Sequence, residues 1–153
     1  MNPLKLIAFD EEDLAVVSSH LQDAVLRVAD MAYLPSQRRF AVLLNRFNWE
    51  KAGGDGPDAG FERCRTALRF ERVLGAQLQN LRPAAGERVL SLLSIHFEAG
   101  EPPSGYVTLT FSGDASIRLQ VECIEAELKD LGPAWKARSR PQHPSGEPSG
   151  VGS

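Results

Sequence analysis

Four arginines are the residues of this chain best suited to chemistry, because a guanidinium group binds phosphate or carboxylate through two parallel hydrogen bonds. Arg63, Arg65 and Arg69 occupy alternate positions of one strand-like segment and should share a face. Arg46 comes from the strand-like segment that precedes a glycine-rich loop. If these two segments pair, the four side chains could converge on one anion. The sequence therefore predicts an anion-binding site of Arg46, Arg63, Arg65 and Arg69.

Acidic neighbours provide the competing interpretation of these arginines. Glu50, Glu62 and Glu71 lie close to them in sequence and could neutralise them as cross-strand pairs. Asp30 interrupts an otherwise apolar segment, so we expect it either to pair with an arginine across the sheet or to protect a strand edge. The same four arginines are then structural ion pairs and not a binding surface.

The distribution of charge favours an anionic ligand or an acidic partner at the middle of the chain. Residues 27–88 carry ten arginines and one lysine against seven acidic residues, although the whole chain has a net charge of −3. A negative chain argues against nucleic-acid binding as its function.

Other chemistry finds little support. His20, His96 and His143 do not have the spacing of a metal site. Cys64 and Cys123 are expected to be buried free thiols. The loop KAGGDGPDAG lacks the GK[ST] ending of a phosphate-binding loop, and no G-x-S-x-G motif is present. We therefore expect no metal, no cofactor and no catalytic residue.

The elements that carry these residues follow from the spacing of apolar side chains. Residues 4–9 predict a first strand, and Asp10 with the three acids after it predicts the start of a helix that runs to about Gln22. Residues 24–34 and 39–49 predict an antiparallel hairpin. The arginine-bearing strand and a strand at residues 89–97 follow.

The final third of the chain has the clearest pattern. Tyr106 to Phe111 and Ile117 to Cys123 alternate apolar and polar residues around a Ser-Gly-Asp turn, which predicts a hairpin. Ile124, Leu128 and Leu131 then have the spacing of one helical stripe, and Gly132 with the proline after it would end the helix.

Together these elements predict one α+β domain over residues 1–135, with about seven mostly antiparallel strands, a helix after the first strand and a C-terminal helix. Residues 136–153, rich in proline, serine and glycine, predict a disordered tail. The preferred architecture is a PH-like barrel, and the alternatives are a helix-backed open antiparallel sheet or a two-repeat arrangement. The absence of a signal peptide and of a membrane-spanning apolar run predicts a cytoplasmic protein without a membrane partner.

Four long stretches of the chain carry a family resemblance: LKLIAFDEEDLAVVSSHLQDAV, YLPSQRRFAVLLNRFNWE, GYVTLTFSG and IRLQVECIEAELKDLGPAW. Over most of residues 4–135 the chain resembles a family of small uncharacterised alphaproteobacterial proteins, known only as a domain of unknown function. The resemblance implies a bacterial cytosolic protein. It carries over no activity, cofactor or catalytic residue.

The favoured function is a non-catalytic binding or protein-interaction module, because no set of residues supplies a nucleophile, a base and an electrophile. Its partner would be a protein or a small anionic ligand. The first alternative is a small enzyme that acts on an anionic metabolite, with His96 or Asp30 as acid or base. The second is a structural protein that completes another protein's sheet or forms a homodimer, which an exposed apolar sheet surface would favour.

Overall fold

The computed structural model of the chain describes residues 3–47 and 62–132, and the backbone of residues 135–136. These residues form eleven strands, one α-helix and two short 3-10 turns. In chain order the elements are β1 (Lys5–Ala8), α1 (Glu11–His20), β2 (Val25–Arg27), a turn (Val28–Asp30), β3 (Met31–Leu34), a turn (Pro35–Gln37), β4 (Arg39–Phe47), β5 (Glu62–Phe70), β6 (Val73–Gln79), β7 (Val89–Ala99), β8 (Gly105–Phe111), β9 (Ser116–Val121), β10 (Ala126–Asp130) and β11 (Trp135–Lys136).

Every strand pair is antiparallel, and the strands follow the order β1-β10-β5-β4-β2-β7-β8-β9-β6, with β3 beside β4 and β11 beside β5. β5 leads almost directly into β6, and β9 into β10. The β5–β6 segment runs antiparallel to the β9–β10 segment, so that β5 lies beside β10 and β6 lies beside β9. Where β5 changes to β6, the Glu71 amide donates a hydrogen bond to the Glu125 carbonyl, and the Glu122 amide donates one to the Arg72 carbonyl. The sheet is open, and β1 and β6 form its two ends.

The predicted helix after the first strand is present as α1, and its first residues explain why it starts there. The Asp10 side chain accepts a hydrogen bond from the Asp13 amide at 2.8 Å, which satisfies one of the free amides at the helix start. Leu14 and Val17 are buried. The Ser18 hydroxyl accepts a hydrogen bond from the Ile95 amide at 3.0 Å, so a polar contact also fixes α1 to β7.

The core lies between the inward faces of the strands, where alternate residues are buried. Phe40, Val42 and Leu44 of β4 lie opposite Phe70, Leu68 and Thr66 of β5, and all six are buried. The predicted hairpin near the C-terminus is also present, as β8 and β9, with Leu109 opposite Ile117 in the core. Burial of a large apolar side chain contributes about 1.5–3 kcal/mol, so these rows hold the sheet together.

The predicted C-terminal helix is wrong, because residues 126–130 form the strand β10. Leu128 is fully buried but Leu131 is 50% exposed, which a helical stripe would not give. Leu128 pairs with Leu6 of β1 on one side and Leu68 of β5 on the other. Two neighbouring strands thus supply backbone partners that override the local helical spacing.

Without that helix, the described residues match the alternative of an open antiparallel sheet backed by one helix, and they do not reproduce the PH-like arrangement. Residues 24–34 form two strands and not one, because a 3-10 turn at Val28–Asp30 separates β2 from β3. The predicted turn into β4 is present, with Arg38 in the left-handed region at φ 52°. More strands therefore form than the seven predicted.

Two predicted segments fall largely outside the described residues. They are the glycine-rich loop and the disordered tail over residues 136–153, of which only the Lys136 backbone is described, paired with Glu62 of β5. In the described part of the chain, no helix is long and apolar enough to span a membrane.

Candidate functional site

The sheet separates the four predicted arginines onto two faces. Arg46 lies opposite Cys64 on the inward face of β4 and β5, and its side chain is 3% exposed. Arg63, Arg65 and Arg69 lie on the outward face of β5, where they are partly exposed. Arg46 therefore does not converge with the other three on one surface.

Arg46 forms a buried ion pair with Asp130 of β10. Its Nε lies 3.0 Å from Asp130 Oδ1, and its Nη2 lies 2.9 Å from Oδ2. The same carboxylate accepts hydrogen bonds from the Thr66 hydroxyl at 2.9 Å and from the Leu4 amide at 2.8 Å. This cluster joins four segments of the chain, and its Arg46, Thr66 and Asp130 side chains are buried, so we assign it to the core.

The Asp130 carboxyl is ionised in spite of its burial. Burial acts to raise its pKa, but hydrogen bonds from Arg46, the Leu4 amide and Thr66 outweigh that effect, together with the charge of Arg46. The net result lowers the pKa of Asp130 to about 2. The pair is thus charged on both sides at neutral pH.

Arg69 belongs to a row of alternating charges on the outward face. Its Nε lies 2.7 Å from Glu71 Oε2, and its Nη1 lies 3.0 Å from Glu127 Oε1. The hydrogen bond that Glu71 accepts comes from Arg39 Nε, at 2.9 Å, and Glu127 lies 3.6 Å from Lys5. At Arg69 the structure therefore contains structural ion pairs with acidic neighbours, and one of these neighbours is the expected Glu71.

Arg63 and Arg65 have weaker contacts. The Arg63 guanidinium stacks over the Phe47 ring, with Cζ 4.1 Å from the ring centre, and burial lowers its pKa. Arg65 Nη1 lies 3.5 Å from Asn45 Oδ1, and its Nη2 lies 3.9 Å from Asp30 Oδ1. Asp30 thus pairs with an arginine across the sheet, which was one of its two predicted roles. Of the four predicted arginines, these two keep the most free hydrogen-bond donors.

The remaining candidates for chemistry lie apart from one another. Asp30 accepts a hydrogen bond from Arg27, and this bond is the main reason that its pKa is lowered. His96 is exposed on β7, opposite Thr108. Cys64 is a buried free cysteine, as predicted, and burial raises the pKa of its thiol, whereas the free Cys123 is partly exposed. No group of three metal-ligating side chains occurs among residues 3–47 and 62–132.

A cleft between β3 and β6 is the feature that the sequence did not predict. Its volume is about 380 Å³, and residues 28–33 form one wall while residues 78–83 form part of the other. We call it the β3–β6 cleft; it is lined by Val28, Ala29, Met31, Ala32, Tyr33, Phe40, Leu78, Leu81, Pro83 and Ile117. Among these described lining residues, only Tyr33 carries a hydroxyl group.

Leu78 shows that the core itself opens at this cleft. It pairs with Ile117, so the two side chains lie on the same face of the sheet. Ile117 is 1% exposed, but Leu78 is 46% exposed, since no strand of the described residues lies beyond β6. A signal was present in the sequence: β6 reads VLGAQLQ, without a single charged residue.

The comparison with protein families gave one match. Residues 4–143 match a family described as a protein of unknown function, DUF2948. No curated protein and no solved structure matches the chain.

Proposed function

Because the chain belongs to the DUF2948 family of proteins of unknown function, we propose its function from its geometry: it is a non-catalytic binding module whose β3–β6 cleft holds an apolar group of the ligand. A concave, mostly apolar site with a few polar groups is the usual form of a binding pocket. The observation that carries the proposal is Leu78, a core-face side chain left 46% exposed in a cleft of about 380 Å³.

An apolar dye tests this proposal, because it needs no knowledge of the natural ligand. Nile red should bind the wild type with a rise in fluorescence, and Leu78→Arg should abolish that rise by placing a charge in the cleft. Leu74→Arg is the matched control, since Leu74 is on the same strand and 44% exposed but does not line the cleft. Equal binding by all three proteins would disprove the proposal.

Contacts of the candidate acids and bases support a binding module over an enzyme. Asp30 is held as a carboxylate by Arg27, so it is poorly suited to donate a proton. His96 lies on β7, whereas the four arginines of the predicted anion site lie on β4 and β5. The cytoplasmic location and the bacterial origin stay predictions from the sequence.

Anion binding is the second candidate function, and the contacts narrow it to Arg63 and Arg65. Arg46 is buried against Asp130, and Arg69 is paired with Glu71 and Glu127. Arg63 and Arg65 are partly exposed, and none of the described polar contacts of their side chains is shorter than 3.5 Å. Their free donors suit a phosphate or carboxylate group.

A further inference from the structure

We propose that the ligand of the β3–β6 cleft is an extended, uncharged segment of a partner protein, which adds a strand to the free edge of β6. This inference rests on the proposed function, since it names the class of ligand that the same cleft binds. Strand addition of this kind draws its affinity from main-chain hydrogen bonds and its specificity from pockets for alternate side chains.

In the described part of the chain, the hydrogen-bond directions along β6 leave its cleft side unpaired at Ala76 and Leu78. The Phe111 amide bonds to Ala115 across the β8–β9 turn, so alternate residues of β8 from Phe111 direct their backbone groups toward β9. Ile117 lies opposite one of them, Leu109, and faces β8. The residues on either side of Ile117 in β9 therefore direct their backbone groups toward β6, where they pair with Gln77 and Gln79. The residues between these in β6, Ala76 and Leu78, direct their N–H and C=O groups away from β9.

The same reasoning applies to β3, on the other side of the cleft. The Leu131 amide bonds to the Arg65 carbonyl, so Arg65 faces β10 and the next residue along β5 faces β4. Phe40 of β4 therefore directs its backbone groups toward β5 and not toward β3. Tyr33 lies opposite Phe40, so the backbone groups of Tyr33 are directed away from β4. Tyr33 and Leu78 thus combine free main-chain groups with side chains that line the cleft.

The sequence of β6 lacks the charged residues and prolines that usually keep an exposed edge strand from pairing with another strand. Soluble proteins protect exposed edges with lysines, prolines, bulges or short strands. The other end of the sheet, β1, is four residues long and carries Lys5. β6 is seven residues long without charge or proline, and its irregularity lies between Val73 and Gly75, away from Ala76 and Leu78.

The shape of the cleft favours a partner segment over a second copy of this chain. The Val73 amide bonds to the Arg38 carbonyl at 2.9 Å, so the turn after β3 already occupies one end of the β6 edge. An antiparallel β6–β6 pair centred on Ala76 would need that end free. A short extended segment needs only the open part of the edge, at about 3.3 Å per residue.

The experiment uses a phage-displayed library of random peptides about ten residues long, a length that covers a strand added to a sheet edge. Peptides are selected on the wild-type protein, with Leu78→Arg protein used to remove those that bind elsewhere. We expect uncharged β-forming sequences that bind the wild type and Leu74→Arg equally. The selected peptide is then synthesised with single N-methyl groups along its backbone.

Backbone methylation separates strand addition from simple apolar binding. Methyl groups at alternate positions should weaken binding by roughly 3- to 10-fold each, the effect of one lost hydrogen bond, while the positions between them change little. A uniform response to methylation would overturn strand addition. So would a library that yields no peptide although Nile red binds in a Leu78-dependent way, and in that case the proposed function survives.

Analytical ultracentrifugation of the protein without peptide tests whether a second copy of the chain occupies the β6 edge. We expect a monomer at micromolar concentration for the wild type and for both leucine variants. A dimer that Leu78→Arg dissociates and Leu74→Arg does not would make a second copy the occupant and would overturn the partner segment.

Discussion

Arg46 and Asp130 form a two-point ion pair inside the domain, with both side chains no more than 3% exposed. A buried pair adds little net stability by itself, because removing two charges from water costs nearly as much as their attraction returns. Its strong effect appears when one partner is lost. The pair thus links β4 to β10 across the intervening strand β5, and it does not form part of a binding surface.

The first prediction concerns the loss of one charge from this pair. Asp130→Ala should lower the free energy of unfolding by about 3–5 kcal/mol, because it leaves the Arg46 guanidinium buried without a counter-charge. Urea titration at neutral pH measures the change. Glu98→Ala is the control, since Glu98 pairs with Arg118 on the exposed surface and such pairs contribute about 0–1 kcal/mol. Similar losses in the two variants would contradict the assignment.

The second prediction is a loss of stability in acid. Asp130 has a folded-state pKa of about 2, below its ordinary value of 3.8, so the folded protein holds this proton more weakly than the unfolded chain does. The resulting stabilisation of roughly 2 kcal/mol is complete above about pH 4 and is lost as the pH falls toward 2.

Carbon NMR of the Asp130 side-chain carboxyl checks this pKa directly. The signal should stay that of a carboxylate until the pH approaches 2 in the folded protein. In urea the same carboxyl should titrate near the ordinary aspartate value. A folded-state midpoint at or above 3.8 would show that the Arg46 pair does not form.

The third prediction separates a strand from a helix at residues 126–130. Leu128→Ala should cost about 2–5 kcal/mol, because Leu128 is fully buried between β1 and β5. Leu131→Ala should cost less than about 0.5 kcal/mol, the usual range for surface positions. A helix would bury both leucines, so equal losses in urea titrations would restore the helical interpretation.

The fourth prediction tests anion binding on the outward face of β5. Pyrophosphate should bind weakly at low salt and should be released as the ionic strength rises, because exposed charges are screened within about 10 Å at 0.1 M. Replacing Arg63 and Arg65 together with glutamine should abolish binding in a calorimetric titration. Arg69→Gln should leave it nearly unchanged, since Arg69 is already paired with two glutamates. If wild type binds no pyrophosphate at low salt, this function is excluded.

The local parts of the fold were predictable from the sequence. The capping aspartate of α1 and the β8–β9 hairpin both depend on residues close in the chain, and both form where expected. The buried position of Arg46 was not predicted, although the alternation of Phe40, Val42 and Leu44 on one face reaches it in one further step. An arginine in that row already indicates an internal counter-charge.

Features that depend on distant segments were not predictable. Residues 124–131 have a helical spacing, and only the presence of β1 and β5 on either side makes a strand the better solution. The β3–β6 cleft arises because two edge strands from distant parts of the chain lie near each other without pairing, which no local pattern encodes. The number of strands was also underestimated, because β2 and β3 are separated only by a 3-10 turn and read as one apolar segment.

The hydrogen bond between the Leu4 amide and Asp130 spans 126 residues of sequence, and it has a consequence for synthesis in the cell. At about 5–20 residues per second, a ribosome needs roughly 6–25 seconds between these two residues. Until β10 is synthesised, β1 lacks the strand with which it pairs, and Arg46, which is made 84 residues before Asp130, lacks its counter-charge. A nascent chain halted before residue 130 should therefore expose the unpaired β1 strand and the uncompensated arginine to proteases and chaperones, so the native domain forms only after β10 has been synthesised.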